Sequence, residues 1–250
     1  MTVVDQPADR PAQDASPPLL EVRGLGVRFG GVVALNGVDL TVRRGSLHGL
    51  IGPNGAGKTT FIDAITGFER CAAGAVSFAG RRVDRWPPHR RVQIGLSRTF
   101  QNLELYAELT VAENLAVPYR VARHRPGTEL EQIVEQLRLA DVLSRQVRTL
   151  PHGRQRIVSI GRALAARPEM LVLDEPAAGL DTDETKELGR TLRTIQAGGI
   201  TVLLVDHDMG LVMDICDWIT VLELGRNLAA GPPRQVAADP QVQRVYLGET

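Results

Sequence analysis

Hydrophobic and polar positions along the 250-residue chain fall into three regimes. Residues 19–42, LLEVRGLGVRFGGVVALNGVDLTV, are rich in β-branched side chains and are interrupted at Gly30, Gly31 and Asn36. That pattern predicts short strands joined by turns, an antiparallel opening. Residues 46–51 form a short apolar run that ends in a glycine-rich turn, and residues 58–66 continue as a helix that Gly67 stops. Between Thr110 and Thr149 the spacing changes. Leu130, Ile133, Val134, Leu137 and Leu139 recur near the helical period, so this middle section is expected to be mainly helical. Beyond it, apolar runs of strand length at 170–173 and 201–205 alternate with helical stretches at about 155–166 and 183–196. Short strands separated by helices predict a parallel sheet covered on both faces. The expected class is α/β, with a mostly parallel sheet, an antiparallel β portion on the N-terminal side and a small α-helical portion over about residues 102–167.

Composition narrows the class further. Hydrophobic residues make up 43% of the chain, enough at this length for one sizeable core, and a single domain over 19–250 is expected. Lys plus Arg number 29 and Asp plus Glu number 29, so the balanced charge supplies no argument for nucleic acid or an anionic membrane surface. Cys71 and Cys216 form no CxxC pair and have no histidine at metal-ligand spacing, which fits a reduced, cytoplasmic setting. Residues 1–18 carry Asp5, Asp9 and Asp14 among prolines and no apolar run; they read as a solvated, disordered tail, neither secretory signal nor anchor. The apolar runs elsewhere are about a quarter of the roughly 20 residues a spanning helix needs. Any membrane role has to be borrowed from a partner.

Two segments carry chemistry. Gly52, Pro53, Asn54, Gly55, Ala56, Gly57, Lys58, Thr59 and Thr60 spell GPNGAGKTT, the P-loop pattern GxxxxGK[ST], placed after a predicted strand and before a predicted helix. Gly52, Gly55 and Gly57 let backbone N–H groups converge on phosphate oxygens at the positive end of the helix. Lys58 can reach the β- and γ-phosphates, and the Thr59 hydroxyl can ligate the Mg²⁺ that bridges them, so ATP and Mg²⁺ are the expected ligands. The second segment is MLVLDEP, residues 170–176, an apolar strand that ends at Asp174 and Glu175. Both carboxylates should emerge at the carboxyl edge of the sheet, where ligands of open α/β sheets bind. Asp174 is placed to hold Mg²⁺ and Glu175 to polarise an attacking water.

Together with TFQN at 99–102, LPHGRQR at 150–156, AAGLD at 177–181 and VDHD at 205–208, these segments resemble the ordered motif set of the ATP-binding cassette family, over about residues 19–247. The resemblance implies a P-loop NTPase core, and two such domains paired head to tail so that each ATP lies between the P-loop of one and the signature segment of the other. It implies that Phe29 stacks on adenine, that Gln101 touches Mg²⁺ and reports the nucleotide state, that Asp181 crosses the dimer interface, and that His207 donates to the γ-phosphate and orients the water with Glu175. Read alone, Phe29 is a core aromatic, Gln101 a surface amide, Asp181 a helix N-cap and His207 an ordinary histidine. His48, His89 and His124 keep that plain reading. The signature of the family usually reads LSGGQ, whereas the aligned residues here are Leu150, Pro151, His152, Gly153 and Arg154. Pro151 lacks both a hydroxyl and an amide hydrogen, which removes one phosphate contact, and Arg154 adds a charge that is either compensating or solvated. Slow turnover, or dependence on a non-identical partner with an intact signature, is the expected consequence.

Within the family, VRFGGVVALNGVDLTV, RTFQNLELYAELTVAENL, HDMGLVMDICDWITVLELGRNLAAG and VQRVYLGE resemble the first of the two ATPase subunits of branched-chain amino acid importers, a group that takes up urea and short amides too. That implies a second ATPase subunit, identical or different, two transmembrane permease subunits, an external binding protein, no nucleic acid, and a position on the cytoplasmic face of the cell membrane. The exposed mixture NLELYAELTV after Gln101 would seat a short helix of the membrane subunit. Other readings are the ATPase of lipopolysaccharide export, a soluble cassette acting as an ATP-dependent clamp, and a regulator that binds ATP without using it.

Overall fold

The computed structural model describes residues 17–122 and 129–247; most of the expected tail and His124 lie outside the described residues. The chain begins with β1 (Leu20–Phe29), β2 (Val32–Val42), β3 (Leu47–Ile51) and α1 (Lys58–Thr66), followed by β4 (Ala73–Phe78), β5 (Arg81–Arg82), α2 (Pro88–Gln93) and β6 (Leu96–Arg98). Helices α3 (Val111–Ala122), α4 (Leu130–Gln136) and α5 (His152–Ala165) come next. Then follow β7 (Met170–Asp174), α6 (Thr182–Ala197), β8 (Thr201–Val205), α7 (Met209–Ile215), β9 (Trp218–Glu223), β10 (Arg226–Gly231), α8 (Pro233–Ala238) and α9 (Pro240–Leu247).

Six strands make the main sheet in the order β10-β9-β3-β8-β7-β6, parallel except where β10 pairs with β9. Both of its faces are buried, which is why β3, β7 and β8 are apolar at nearly every position. Alternate residues serve different cores. Leu171, Leu173, Val202 and Leu204 face the layer of α3 to α7, while Met170, Val172, Leu203 and Val205 face α1 and a second, antiparallel sheet. That second sheet has the order β2-β1-β4-β5. Helix α1 therefore lies between two sheets, with Phe61, Ile62, Ala64 and Ile65 fully buried.

The N-terminal strands differ from the sequence expectation. One long hairpin replaces several short strands, because Asn36 does not stop β2: its N–H donates to the Gly225 carbonyl at 2.8 Å, and the irregularity is absorbed by register shifts in β1. The middle section is helical, with two single 3₁₀ turns at Ala140–Val142 and Val147–Thr149. Helix α5 starts at His152, three residues before the expected start, because Pro151 takes the N-cap position with extended backbone and leaves its missing N–H outside the helix. Among the described residues no helix is long and apolar enough to cross a membrane.

One core group makes stability depend on pH. His48, in the central strand, is buried with Nε2 2.9 Å from the Thr220 hydroxyl, and burial pushes its pKa down to about 4. The unfolded chain then binds the extra proton first, so stability is full above pH ~6.5 and is lost as pH falls toward about 4, by about 3 kcal/mol from this group. Denaturant titrations across that window should show the loss, and His48→Gln should remove this part of the slope; an unchanged slope in the variant would assign it to other groups.

Candidate functional site

Strand β3 is buried at all five positions and delivers the chain to Gly52 at the carboxyl edge of the sheet. A Cβ at Gly52 would fall on the Leu222 carbonyl oxygen, so the loop passes too close to the end of β9 for any side chain there. Gly57 adopts φ 99° and would place a Cβ 2.7 Å from Leu35 Cδ2 and 3.0 Å from the Ala34 carbonyl oxygen. Ala56 is buried and its carbonyl accepts from the Gly225 N–H at 3.0 Å, which ties the loop to the start of β10. Pro53 is half-buried, and Asn54, Gly55 and Thr59 are exposed, with Thr60 half-buried. The first bond into the helix runs from the Phe61 N–H to the Gly57 carbonyl, so the amides of the opening turn of α1 face the loop mouth without an intrahelical partner. Lys58 is buried, and its ammonium donates to the Gly52 carbonyl at 2.7 Å and the Pro53 carbonyl at 3.1 Å. Burial lowers its pKa, and the carboxylates of Glu175, Asp174 and Asp206 oppose that shift.

Those carboxylates stand at the ends of β7 and β8, beside the loop. Asp174 ends β7 nearly buried, with Oδ2 3.2 Å from an Arg98 guanidinium nitrogen; burial raises its pKa and Arg98 opposes. Glu175 has φ 45°, a left-handed backbone that a β-branched or bulky residue adopts only under strain, and its N–H donates to the Val205 carbonyl at 2.7 Å. Gln101 Nε2 donates to Glu175 Oε2 at 3.1 Å, and His207 Nδ1 lies 3.9 Å from Glu175 Oε1. His207 is exposed, while its neighbour Asp206 is fully buried and accepts from the backbone N–H groups of Ala177, His207 and Asp208 at 3.0, 2.8 and 3.0 Å. Asp206 thus ties the segment after β7 to the segment after β8. Nothing in the sequence reading singled it out, although an acid between Val205 and His207 at a strand end was the available signal. Phe29 closes β1 with 48% of its surface exposed, so it is not a core aromatic.

The unusual segment 150–154 lies at the start of α5. Its first helical bond runs from the Gln155 N–H to the Pro151 carbonyl, which leaves the amides of His152, Gly153 and Arg154 outside the helical ladder. A Cβ at Gly153 would come 2.7 Å from Glu184 Oε1, the end of an exposed side chain on α6 that would have to shift to admit it. Arg154 is tied down at the surface. Its guanidinium forks onto both oxygens of Asp141 at 2.7 Å and donates to the Arg138 carbonyl at 2.9 Å. Asp181 caps α6, accepting from the N–H groups of Asp183 and Glu184 at 2.9 Å, with Glu184 closing a capping box. Arg156 is buried and donates to the Ala178 carbonyl at 2.9 Å, joining α5 to the segment before Asp181.

The arrangement can do two things. A glycine-framed helix N-terminus with a buried ammonium binds polyphosphate. Beside it, the Asp174 carboxylate supplies a hard oxygen of the kind Mg²⁺ takes, and its charge is felt at the Lys58 ammonium. Among the described residues no group of three or more His, Cys, Asp or Glu is placed to hold a metal ion.

Comparison with known proteins agrees with this geometry. Residues 35–178 match the family model described as ABC transporter, and residues 226–250 match the one described as branched-chain amino acid ATP-binding cassette transporter. The high-affinity branched-chain amino acid transport ATP-binding protein BraF of Pseudomonas aeruginosa is 40% identical, over 94% of this chain and 99% of that protein. The corresponding protein LivG of Escherichia coli is 39% identical, again over 94% of this chain and 99% of its own length. The crystal structure of the ADP conformation of MJ1267, an ATP-binding cassette of an ABC transporter, superimposes with a TM-score of 0.85 at 31% identity, covering 94% of this chain and all of that one. With a family model over more than half its length and relatives aligned nearly end to end, the chain belongs to the ABC transporter family, as an ATP-binding and ATP-hydrolysing cassette.

Proposed function

We propose that this cassette powers an importer of branched-chain amino acids or related small amides. It works from the cytoplasmic face of the cell membrane as one of two paired cassettes, identical or different, beneath two permease subunits, with an external binding protein delivering the cargo. The observation that carries the mechanism is the convergence of Gln101 and His207 on Glu175, beside Lys58 and Asp174. The substrate class rests on the full-length similarity to BraF and LivG and on the C-terminal match over 226–250.

In this reading residues 19–250 form one cassette whose helical subdomain spans about 102–167. Phe29 offers its exposed ring to adenine, and residues 52–60 wrap the phosphates with Lys58 as the fixed charge. Mg²⁺ held by Asp174, Thr59 and Gln101 would neutralise charge on the β- and γ-phosphates. Glu175 accepts a proton from the attacking water; as the new O–P bond forms, the bond to the β-phosphate oxygen breaks and ADP departs. Gln101 and His207 fix the carboxylate and the water between them. In a head-to-tail pair the amides of His152, Gly153 and Arg154 meet the γ-phosphate held by the partner, and Asp181 sits at the interface. Because Arg154 is bound to Asp141, it does not stand in for the hydrogen bond that Pro151 is unable to donate.

The permease side is read from a cleft of about 660 Å³ lined by Phe68, Phe100, Tyr106, Val117, Pro118 and Arg162, among others. Phe68, Tyr106 and Val117 are exposed, an apolar and aromatic surface of the kind that receives a short helix. Purification of the chain with its permease subunits and second cassette, followed by reconstitution in vesicles with the binding protein, tests the whole reading. ATP-dependent accumulation of labelled leucine is the expected result. Hydrolysis without uptake of leucine, isoleucine, valine or a short amide would remove the substrate assignment and leave the enzyme.

A further inference from the structure

Arg98, the last residue of β6, joins that cleft to the nucleotide edge. Its side chain is 7% exposed and is held on every side. One guanidinium nitrogen meets Asp63 at 2.5 Å and the Thr66 hydroxyl at 3.3 Å, both on α1; another meets Asp174 at 3.2 Å; and Nε donates to the Thr99 carbonyl at 3.3 Å. The guanidinium carbon lies 4.4 Å from the centre of the Phe100 ring and 5.4 Å from that of Phe68, and the two rings meet edge to face at 5.5 Å. Planar stacking together with a fork of donors is what arginine provides and lysine does not. Phe68 is 55% exposed in the cleft. Phe100 immediately precedes Gln101. A single buried cation therefore contacts the wall of the cleft, the helix behind the phosphate loop, the carboxylate that ends β7 and the residue next to Gln101.

We infer that Arg98 is a positioning residue that relays the state of the Phe68 wall to Asp174 and Gln101, so that whatever packs on Phe68 sets the geometry of the hydrolytic edge. The inference rests on the roles proposed for Asp174 and Gln101, and needs neither the cargo nor the permease assignment. A buried guanidinium between two carboxylates and two rings has few ways to move alone. Displacing the Phe68 ring changes the stacking on Arg98 and with it the fork onto Asp63 and Asp174.

Hydrogen exchange of the full chain tests the relay without requiring turnover. Phe68→Leu should speed amide exchange in residues 174–178 by about threefold or more, Phe68→Tyr should not, and Phe68→Leu added to Arg98→Lys should give no further change. Phosphate release by the assembled cassettes should follow the same pattern, with kcat falling about 3- to 30-fold in Phe68→Leu while the KM for ATP stays put. Additive effects of the Phe68 and Arg98 changes, or exchange in 174–178 unmoved by Phe68→Leu, would overturn the relay. Because Phe68 is exposed, its variants keep the fold, and Arg98→Lys keeps a cation between Asp63 and Asp174. If Glu175→Gln abolishes hydrolysis while the Phe68 and Arg98 effects simply add, only the relay falls; if Glu175→Gln is without effect, the site reading falls with it.

Discussion

Replacing Glu175 by Gln is expected to slow phosphate release by about 10²- to 10⁴-fold while ATP binding stays within a few fold of the parent. The substitution keeps the shape of the side chain and removes the oxygen pair that can take a proton. The backbone should not move, since the Glu175 N–H is held by the Val205 carbonyl at 2.7 Å and Asp206 bonds the neighbouring segments through three amides. Loss of rate would therefore report chemistry and not folding. The positive φ of Glu175, 45°, has counterparts at Ala79, Glu104, Arg138, Arg167 and Leu224, so the assignment rests on the partners of the carboxylate, Gln101 and His207, and not on the backbone. Steady-state phosphate release and equilibrium ATP binding on the same preparation decide the matter. A variant that hydrolyses as fast as its parent would move the base elsewhere, with His207, 3.9 Å away, as the next group to test.

The parts of the fold that depend on neighbours in sequence were legible from it. Residues 58–66 form a helix with Gly67 as its left-handed C-cap, as local spacing and a glycine stop require. The apolar runs at 170–173 and 201–205 are buried parallel strands, each one residue different at most from the expected bounds. What escaped is what rests on distant partners. Asn36 looks like a turn residue until its N–H finds a carbonyl at Gly225, far along the chain, and then β2 runs on through it. Arg154 looks free until Asp141 is brought against it. Phe29 reads as a core aromatic on hydrophobicity alone, yet it ends β1 at the surface. The strand β6 has three residues, too few for any periodicity, and the role of Arg98 is written in partners 35 and 76 residues away. Of the site, sequence pattern named the residue types and their order, whereas only the folded chain brings Gln101, Glu175 and His207 onto one edge, with Asp206 and Arg98 behind them.

Lys58→Met should weaken ATP binding by about 10²-fold or more and take hydrolysis to background. The parent ammonium sits in a buried position among three carboxylates with two of its three N–H groups on the Gly52 and Pro53 carbonyls, and it exchanges these for phosphate oxygens when the nucleotide enters. Each hydrogen bond to a charged group is worth about 1.5–3 kcal/mol, and loss of two of them accounts for a 10²-fold change at the low end of that range. Methionine retains the length and apolar stem of lysine, so the packing of α1 between the two sheets survives. Lys58→Arg should fail as well: the planar guanidinium is longer and broader than an ammonium, and Lys58 is buried with its head on the Gly52 and Pro53 carbonyls. Equilibrium titration with ATP, with the thermal transition recorded for each variant, separates lost binding from lost fold. Parent-like affinity in Lys58→Met would show that the backbone amides of 52–60 and the helix end carry the phosphates alone, and would leave the buried ammonium as a structural tie within the loop.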